Sequence, residues 1–270
     1  MAEPRPIVKW AGGKRQMIGL LLEKVPAIFG TYFEPFVGGG SLLFALRPQR
    51  AVISDINSEL MNAYLVVRDD PDALIRSLQR HRNEPEHFSR IRAYDPSKLT
   101  TVQRASRFIF LNKTCYNGLY RENGSGQFNA PFGRYENPTI VDKANIAAVS
   151  EYLRHAEVRI LNVSYEKCLQ RARGGDFAYL DPPYFPLSTT ASFTKYHRTD
   201  FTADDQKRLA GVFRKLDGRG CYLLLSNSNM PFVRQLYAGY RIQEVSATRF
   251  INCKADRRGK APNELIISNY

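Results

Sequence analysis

The sequence predicts a doubly wound α/β fold, whose largely parallel sheet is interrupted by an insertion in the middle of the chain. Short apolar runs alternate with segments of helical periodicity at both ends of the 270 residues, which is typical of βα units. The run at 220–226 is almost entirely apolar, as expected for a strand buried at the centre of a parallel sheet. Residues 61–142 do not follow this alternation.

The individual elements follow from local signals. Asn57 and Thr202 each precede acidic residues and helical spacing, so we expect helices to begin there. Another helical run covers 42–46. Strands are predicted where apolar and β-branched residues cluster, at 31–36, 51–54, 158–163, 177–180, 220–226 and 265–267.

The middle segment combines two patterns. From 71 to 112 the apolar spacing is helical. From 117 to 137 the chain is rich in Gly, Asn and Tyr, and the turn chemistry of 122–126 predicts a hairpin. We therefore expect one domain to be built from two segments, with an insertion of helices and a hairpin between them: 1–60 and 143–270, and 61–142.

The charge indicates a polyanionic partner. Lys and Arg exceed Asp and Glu by 13, and the sequence pI is about 9.7. The excess is spread over the chain, with +2 in 1–67, +4 in 68–145 and +7 in 146–270, so it belongs to folded surface rather than to a tail. Such a surface attracts nucleic acid or an anionic membrane. A hydrophobic content of 43% excludes a disordered or fibrous chain.

Other classes are disfavoured by what the sequence lacks. No apolar run approaches the roughly 18 residues of a spanning helix, and the first 14 residues do not resemble a secretory signal. The four cysteines form no C-x-x-C pair and no H-E-x-x-H motif occurs, so we expect no metal. Scattered cysteines suit a reducing cytoplasm. We expect a cytoplasmic protein, nucleoid-associated in a prokaryotic or phage context.

The first candidate site is the glycine-rich segment E-P-F-V-G-G-G-S at 34–41, which follows a predicted strand and precedes a helix. Consecutive glycines allow positive φ and let a bulky ligand approach the backbone. Asp55 ends the next predicted strand, about 20 residues on, where an acidic side chain meets ribose hydroxyls in nucleotide-binding folds. An ordinary tight turn remains the alternative for the glycines considered alone.

The second candidate site is Asp181-Pro182-Pro183-Tyr184, directly after the strand at 177–180. The carboxylate of Asp181 and a backbone carbonyl can accept the two hydrogens of an amino group. Two prolines stiffen the chain, and Tyr184 can stack on a base. The motif at a strand end therefore indicates chemistry on the amino group of an aromatic base.

These motifs, together with K-W-A-G-G-K at 9–14, resemble the DNA adenine N6-methyltransferase (Dam) family. The order of cofactor motif, insertion and catalytic motif is similar to the family's alpha arrangement, and the resemblance runs from about Pro6 to Asn269. It implies a Rossmann-like, S-adenosylmethionine-dependent methyltransferase sheet with a helical and β-hairpin DNA-recognition insertion. The implied activity is methyl transfer from S-adenosylmethionine to N6 of a flipped adenine in double-stranded DNA, within GATC.

The resemblance also implies roles for residues of the catalytic domain. Asp181, Pro182 and Tyr184 would be catalytic, with N6 hydrogen-bonded to the Asp181 carboxylate and the Pro182 carbonyl. Asp181 would also lie beside the methionine end of the cofactor. The implied cofactor-binding residues are Trp10, Ala11, Gly12, Lys14, Glu34, Phe36, Gly38, Gly40, Ser41, Asp55 and Asp181.

For the DNA, the resemblance implies contacts to bases and to phosphates. Arg121 would read a guanine, Lys9 would reach the outer base pair, and Tyr116 would wedge into the vacated stack. Leu119 and Pro131 would contact a thymine methyl, and Asn117, Asn123 and Arg134 would touch phosphate. Cys115 and the turn at 122–127 depart from the family's usual pattern, which bears on the target sequence and not on catalysis. The basic segment 253–262 is either a loop that grips DNA or a solvated surface loop.

Alternatives stay open at this point. Related enzymes methylate cytosine N4, RNA adenine or protein glutamine, and a non-enzymatic DNA-binding relative could keep the fold. The hairpin and the charge favour duplex DNA, and the intact D-P-P-Y motif favours an enzyme. A monomer or a weak dimer on DNA is expected. Housekeeping, phage and restriction-modification roles are all compatible with the sequence.

Overall fold

The structure is a computed structural model that describes residues 2–10, 12, 14–124, 126–184, 201–246 and 263–270. In this part of the chain the helices are α1 Ile18–Glu23, α2 Ser41–Leu46, α3 Ser58–Asp69, α4 Pro71–Leu78, α5 Pro85–Ala93, α6 Thr101–Thr114, α7 Lys143–His155, α8 Tyr165–Leu169, α9 Ala203–Asp217 and α10 Pro231–Leu236. The strands are β1 Tyr32–Glu34, β2 Arg50–Ser54, β3 Glu157–Leu161, β4 Phe177–Leu180, β5 Tyr222–Ser228, β6 Arg241–Ser246 and β7 Asn263–Ser268.

The strands form one seven-stranded sheet with the order β3-β2-β1-β4-β5-β7-β6. The first five are parallel, and β7 runs antiparallel to β5 and to β6. Because the chain proceeds outward from β1 to β3 and then returns to place β4 on the other side of β1, the order reverses between β1 and β4. Open α/β sheets bind ligands at this reversal, at the carboxyl ends of the strands.

Each face of the sheet is covered by its own hydrophobic core. On one face Tyr32 and Ile53 pack in a cluster that also contains Phe88 and Phe110 from the helices of the middle segment. On the other face Phe33 packs with side chains of α8 and α9. Adjacent residues of β1 point to opposite faces, so the mixed α/β fold predicted from the sequence is confirmed with both faces buried.

The predicted strands are all present; β4 has the predicted ends, and the ends of the others are shifted. The first strand stops at Glu34 because Pro35 has no N–H to donate. The central strand begins at Tyr222 rather than at Gly220, whose φ of +80° places it in the preceding turn. The strand β6 was missed, because most of its side chains are exposed and it lies at the sheet edge, where apolar alternation is weak.

Helix starts agree with the predicted caps. The side chain of Asn57 accepts a hydrogen bond from the Leu60 N–H, and Thr202 forms a capping box with Asp205. The predicted boundary at residue 61 falls within α3, which packs against both α6 and α7. Within the described residues, no helix combines the length and apolarity needed to span a membrane.

The predicted hairpin is present in a reduced form. Isolated antiparallel bridges join Cys115 to Phe132 and Glu122 to Phe128, without continuous strands. The turn is closed by the Asn123 N–H, which donates to the Gln127 carbonyl over 2.8 Å. Positive φ at Asn117, Gly118, Gly126 and Arg134 breaks the regular extended backbone. The segment 115–135, called the recognition loop below, is therefore held by few ladder bonds.

Candidate active site

The glycine segment forms a tight turn between β1 and α2. Gly38 has φ +47° and Gly40 has φ +69°, a region that favours glycine. A Cβ at Gly38 would lie 2.5 Å from Cδ1 of Trp10, and one at Gly40 would lie 2.7 Å from the Tyr64 hydroxyl. Both positions therefore need glycine, because Trp10 and Tyr64 fill the space that a side chain would occupy at the carboxyl edge of the sheet.

Trp10 connects this turn to the middle segment. Its indole lies against Gly38 and stacks on Tyr120 at 6.0 Å between ring centroids, with Phe108 at 6.3 Å. Because Tyr120 lies within the recognition loop, one aromatic cluster joins the glycine turn to the predicted DNA-reading segment.

Asp55 holds the glycine turn in place. Its carboxylate is 8% exposed and accepts hydrogen bonds from the Gly38 N–H at 3.2 Å and the Asn57 N–H at 2.9 Å. The Tyr64 hydroxyl donates to the Gly38 carbonyl at 3.0 Å. The sequence predicted a ribose contact for Asp55. The structure adds a positioning role, in which the side chain links the ends of β1 and β2.

Glu34 is buried at the end of β1, with 3% of its surface exposed. Burial raises the pKa of its carboxyl to about 8, although a hydrogen bond from the Tyr32 hydroxyl, 2.9 Å long, opposes the shift. Nearby Asp181 adds to the rise in pKa. Glu34 is therefore mainly protonated at neutral pH, which reduces the negative charge beside Asp181.

This protonation predicts a pH-dependent effect of Glu34→Gln. Between an unfolded pKa near 4.5 and a folded pKa of about 8, the folded protein retains a proton that the unfolded chain releases. The contribution of Glu34 to the free energy of unfolding therefore falls as pH rises through this window, by up to about 1.4 kcal/mol per pH unit. Urea unfolding at pH 5.5, 7 and 8 should show that the free energy of unfolding of Glu34→Gln increases relative to that of wild type as the pH rises. A pH-independent difference would contradict the assignment, and exposed Glu86→Gln is the control.

The D-P-P-Y motif lies directly after β4, beside Glu34 across the reversal of strand order. The Asp181 carboxylate forms an ion pair with Lys14, with 2.8 Å between Oδ1 and Nζ. The same ammonium lies 4.6 Å from the centroid of the Tyr184 ring and donates to the Gly12 carbonyl at 2.7 Å. Lys14 is 6% exposed, so a buried cation occupies the space between the carboxylate and the aromatic ring.

Two residues that sequence reasoning missed support the motif. The Tyr184 hydroxyl donates to Oε2 of Glu264 at 2.7 Å, and Gln206 donates to the Pro183 carbonyl at 3.1 Å. Burial and the neighbouring carboxylates raise the pKa of Tyr184, which is neutral at physiological pH. Glu264 and Gln206 come from β7 and α9, and no local pattern marks either one.

The other predicted cofactor residues are placed differently. Phe36 stacks on Tyr165 at 5.3 Å and meets Phe201 edge-on at 6.0 Å, so its ring belongs to an aromatic cluster below the turn. Ser41 begins α2. Gly12 is exposed with φ +74°, while Ala11 lies outside the described residues.

Lys9 lies at the recognition loop, and its predicted contact with the outer base pair stays a prediction. Asn112 in α6 accepts from the Lys9 N–H at 2.9 Å and donates to the carbonyls of Lys9 at 2.8 Å and Gly118 at 3.0 Å. The Lys9 ammonium is 4.9 Å from the Tyr135 ring centroid. Asn112 was not identified from the sequence, and it joins the N-terminal segment to the loop.

Most of the predicted DNA-contacting side chains are exposed. Tyr116 is 53% exposed, which is rare for a large aromatic. Leu119 is half-buried, and Asn123 is used within the turn, where its side chain accepts from the Gln127 N–H at 2.9 Å. The side chains of four other residues are exposed, namely Asn117, Arg121, Pro131 and Arg134.

Arg121 is braced by a residue that the sequence did not single out. Its Nε donates to Oδ1 of Asn129 at 2.8 Å, and Nη2 lies 3.5 Å from the Asn129 carbonyl oxygen. This arrangement restricts the guanidinium while leaving donors for an external acceptor. The basic segment 253–262 lies outside the described residues. Within the described ones, no group of three or more potential metal ligands occurs.

Comparison with known proteins identifies the family. Residues 10–251 match the D12 class N6 adenine-specific DNA methyltransferases. The chain is 43% identical to the Type II methyltransferase M1.LlaDCHI of Lactococcus lactis subsp. cremoris over 98% of this chain and 95% of the relative. It is 45% identical to the Type II methyltransferase M.MjaIII of Methanocaldococcus jannaschii over 99% and 100%. It is 34% identical to the DNA adenine methylase of Vibrio cholerae over 99% and 97%.

These matches favour adenine over the other substrates considered above and an enzyme over a binding module. They also agree with a sheet whose glycine turn and D-P-P-Y motif meet at the reversal of strand order. This protein belongs to the D12 class N6 adenine-specific DNA methyltransferase family.

Proposed function

We propose that the protein transfers a methyl group from S-adenosylmethionine to N6 of an adenine that is flipped out of double-stranded DNA, within GATC. The observation that carries the proposal is the contact of Asp181, Tyr184 and Lys14 at the end of β4, one strand away from the glycine turn. The Lys14 ammonium, a nitrogen donor, already lies between the Asp181 carboxylate and the Tyr184 ring. A carboxylate and an aromatic ring in this arrangement suit the amino group of a planar base.

The residues around the glycine turn fit the proposed cofactor. Gly38 and Gly40 form a tight turn that packs against Trp10 and Tyr64, Trp10 forms an aromatic wall, and the Asp55 carboxylate lies at the adjacent strand end. When bound, S-adenosylmethionine would supply a methyl group on a positively charged sulfur, which needs no metal for activation. Asp181 would lie near this positive charge, and protonated Glu34 would prevent a second carboxylate from competing with it.

Asp181 and the Pro182 carbonyl would accept hydrogen bonds from the N6 amino group. The nitrogen lone pair of adenine is delocalised into the ring, and these two acceptors favour a tetrahedral nitrogen whose lone pair is available for attack. Oriented acceptors also stabilise the positive charge that develops on nitrogen. The Tyr184 ring would hold the base plane, with the ring anchored by Glu264.

Base entry requires two movements. The Asp181 side chain is 19% exposed, so an adenine still paired in a duplex cannot bring N6 to it and must flip, at a cost of a few kcal/mol. Lys14 lies between Asp181 and the Tyr184 ring, so its ammonium must leave the ring before a base can stack there. Until the adenine arrives, the Lys14 ammonium would hold the Asp181 carboxylate in its orientation.

Trp10 provides a direct test of the cofactor site because it is the only tryptophan in the chain. A Gly38→Ala methyl would clash with its indole, whereas the Cβ of Gly39→Ala would meet only ordinary contacts at 3.4 Å or more. We expect S-adenosylmethionine to change Trp10 fluorescence saturably, with binding about tenfold weaker or more in Gly38→Ala, equal to about 1.4 kcal/mol.

The Gly39→Ala variant is the matched control and should bind within a few-fold of wild type. Calorimetry measures the affinity independently of the fluorescence. Cofactor binding that leaves Trp10 fluorescence unchanged, or equal affinities for the two glycine variants, would place the cofactor elsewhere.

The proposed GATC target rests on the recognition loop. Arg121 is exposed and braced, as a residue that reads guanine through two hydrogen bonds should be. Tyr116 is exposed on the same loop and is available to fill the space of the flipped base. Arg134 is exposed with φ +52° and would contact phosphate.

A further inference from the structure

An open groove with a volume of about 820 Å³ crosses the edge of the sheet opposite the proposed active site. Its lining includes Thr31, Arg50 and Asp176, which lie at or just before the amino ends of β1, β2 and β4. Glu34 ends β1 and Asp181 follows β4, so both lie at the carboxyl edge of the same sheet. A straight duplex held at the carboxyl edge therefore does not pass through this amino-edge groove.

The amino-edge groove is strongly basic. It is lined by six arginines and only three carboxylates, and the arginines are Arg50, Arg68, Arg154, Arg159, Arg171 and Arg173. The carboxylates are already engaged. Glu157 pairs with Arg50 at 3.1 Å, and Asp69 pairs with Arg68 at 2.7 Å. Asp176 accepts hydrogen bonds from the backbone N–H groups of Thr31 at 2.8 Å and Arg173 at 3.0 Å.

Arg154 donates to the carbonyls of Arg68 at 2.6 Å and Asp69 at 3.2 Å, and the other three arginine side chains have neither a carboxylate nor a carbonyl partner among the described residues. Arg159, Arg171 and Arg173 are exposed, and none of them forms an ion pair within the described part of the chain. Exposed guanidinium groups remain charged and offer a planar set of donors that matches phosphate oxygens. The groove therefore carries an excess of positive charge that is free to meet an anion.

Four arginines lie on one side of the sheet. Arg50 pairs in register with Glu157, and Val52 pairs with Arg159, so Arg50 and Arg159 project from the same face. Arg171 and Arg173 follow α8, whose Leu169 packs with Val52 on that face. The connection after α8 is fixed by Arg219, which donates to the carbonyls of Gln170 and Ala172.

We propose that the amino-edge groove binds the phosphate backbone of a second DNA segment, distinct from the one being methylated. The lining of six arginines and three carboxylates gives the groove itself a net charge of +3. Positive charge in the amino-edge groove does not contribute to recognition of the target sequence at the carboxyl edge. It lets the enzyme hold two DNA segments at once. The enzyme then passes directly from one segment to another without first entering free solution.

Transfer kinetics test this proposal. The protein is bound to a short fluorescein-labelled duplex and chased with increasing concentrations of unlabelled long duplex in a stopped-flow instrument. In the wild type the dissociation rate should rise with competitor concentration, because the second segment binds before the first leaves. The variant R159Q/R171Q/R173Q should dissociate at a rate that does not depend on competitor concentration.

The matched control is R214Q/K215Q/R241Q, which removes three positive charges from exposed positions outside the groove. It should keep the competitor dependence, and thermal unfolding should show both triple variants folded. Equal competitor dependence in the groove variant and in wild type would overturn the proposal. Acceleration of wild-type dissociation by polyglutamate but not by duplex DNA would also overturn it, in favour of an acidic protein partner.

Methylation of a short duplex in a single turnover separates this proposal from the proposed function. The three groove arginines are outside the carboxyl-edge site, so R159Q/R171Q/R173Q should methylate the short duplex at the wild-type rate. The transfer measurement itself needs no methyl transfer, and it remains informative even if the enzymatic proposal fails.

Discussion

Asp181→Ala is expected to lower the rate of methyl transfer by about 10²–10³-fold or more, while DNA binding stays within a few-fold of wild type. Among the described residues, the Asp181 carboxylate is the only group that forms an ion pair with Lys14. In the proposed reaction this carboxylate would orient N6 for attack. Single-turnover methylation of a hemimethylated duplex and an independent DNA-binding titration measure the two quantities. Full turnover by the variant would contradict the assigned role.

Loss of folding must be separated from loss of chemistry in this experiment. Removing Asp181 leaves the buried Lys14 ammonium without its carboxylate, which costs stability. Lys14→Met combined with Asp181→Ala removes both charges, so it should recover stability and remain inactive. Asp204→Ala removes an exposed carboxylate that pairs with Lys207 at 2.9 Å, and it should leave activity unchanged.

Arg121→Ala is expected to reduce discrimination at one base pair by about 1–3 kcal/mol, which is up to about a hundredfold in relative kcat/KM. The reason is that the Arg121 guanidinium would select guanine through two hydrogen bonds, which alanine cannot form. Methylation rates on GATC and on each single-base variant measure the effect. Asn129→Ala should show a smaller loss at the same position, because Asn129 only braces the Arg121 guanidinium.

Arg134→Ala provides the contrasting control. An arginine that contacts phosphate should weaken binding to all sequences alike and lower the slope of log affinity against log salt by about 0.9. An unchanged base preference in Arg121→Ala would show that another residue reads the sequence, and a base-specific loss in Arg134→Ala would exchange the two roles.

Local signals in the sequence were sufficient for most of the fold. The buried strands and the helix caps at Asn57 and Thr202 are encoded by neighbouring residues, so their positions were predicted within a few residues. The edge strand β6 was not, because an exposed strand lacks the apolar alternation on which the prediction depends. The recognition loop was predicted as a hairpin, and its positive-φ positions reduce it to isolated bridges.

The candidate site shows the same division. Asp181 and the glycines are part of short contiguous motifs, and their meeting at one sheet edge follows from strand order. The ion pair between Lys14 and Asp181 could not be predicted in this way. The sequence suggested only that Lys14 covers the cofactor, whereas the structure pairs Lys14 with Asp181. Glu264 and Asn112 act across long sequence separations, and contacts of this kind leave no local pattern.

The basic composition indicated a polyanionic partner, but it did not indicate where on the protein that partner binds. The arginines of the recognition loop lie in the middle segment, and those of the amino-edge groove lie at the opposite edge of the sheet. A net charge is a sum over the surface, so it cannot separate two basic regions that serve different DNA segments.

The most direct test of the central claim uses the purified protein, S-adenosylmethionine with an isotopically labelled methyl group, and duplex DNA that contains GATC among other adenines. The DNA is divided for nucleoside mass spectrometry and for sequencing that detects methylated bases. We predict label in N6-methyldeoxyadenosine, confined to the adenine of GATC. Label in N4-methylcytosine, or no labelled nucleoside with folded enzyme, would contradict the chemistry assigned to Asp181, and labelled adenine outside GATC would contradict the proposed target.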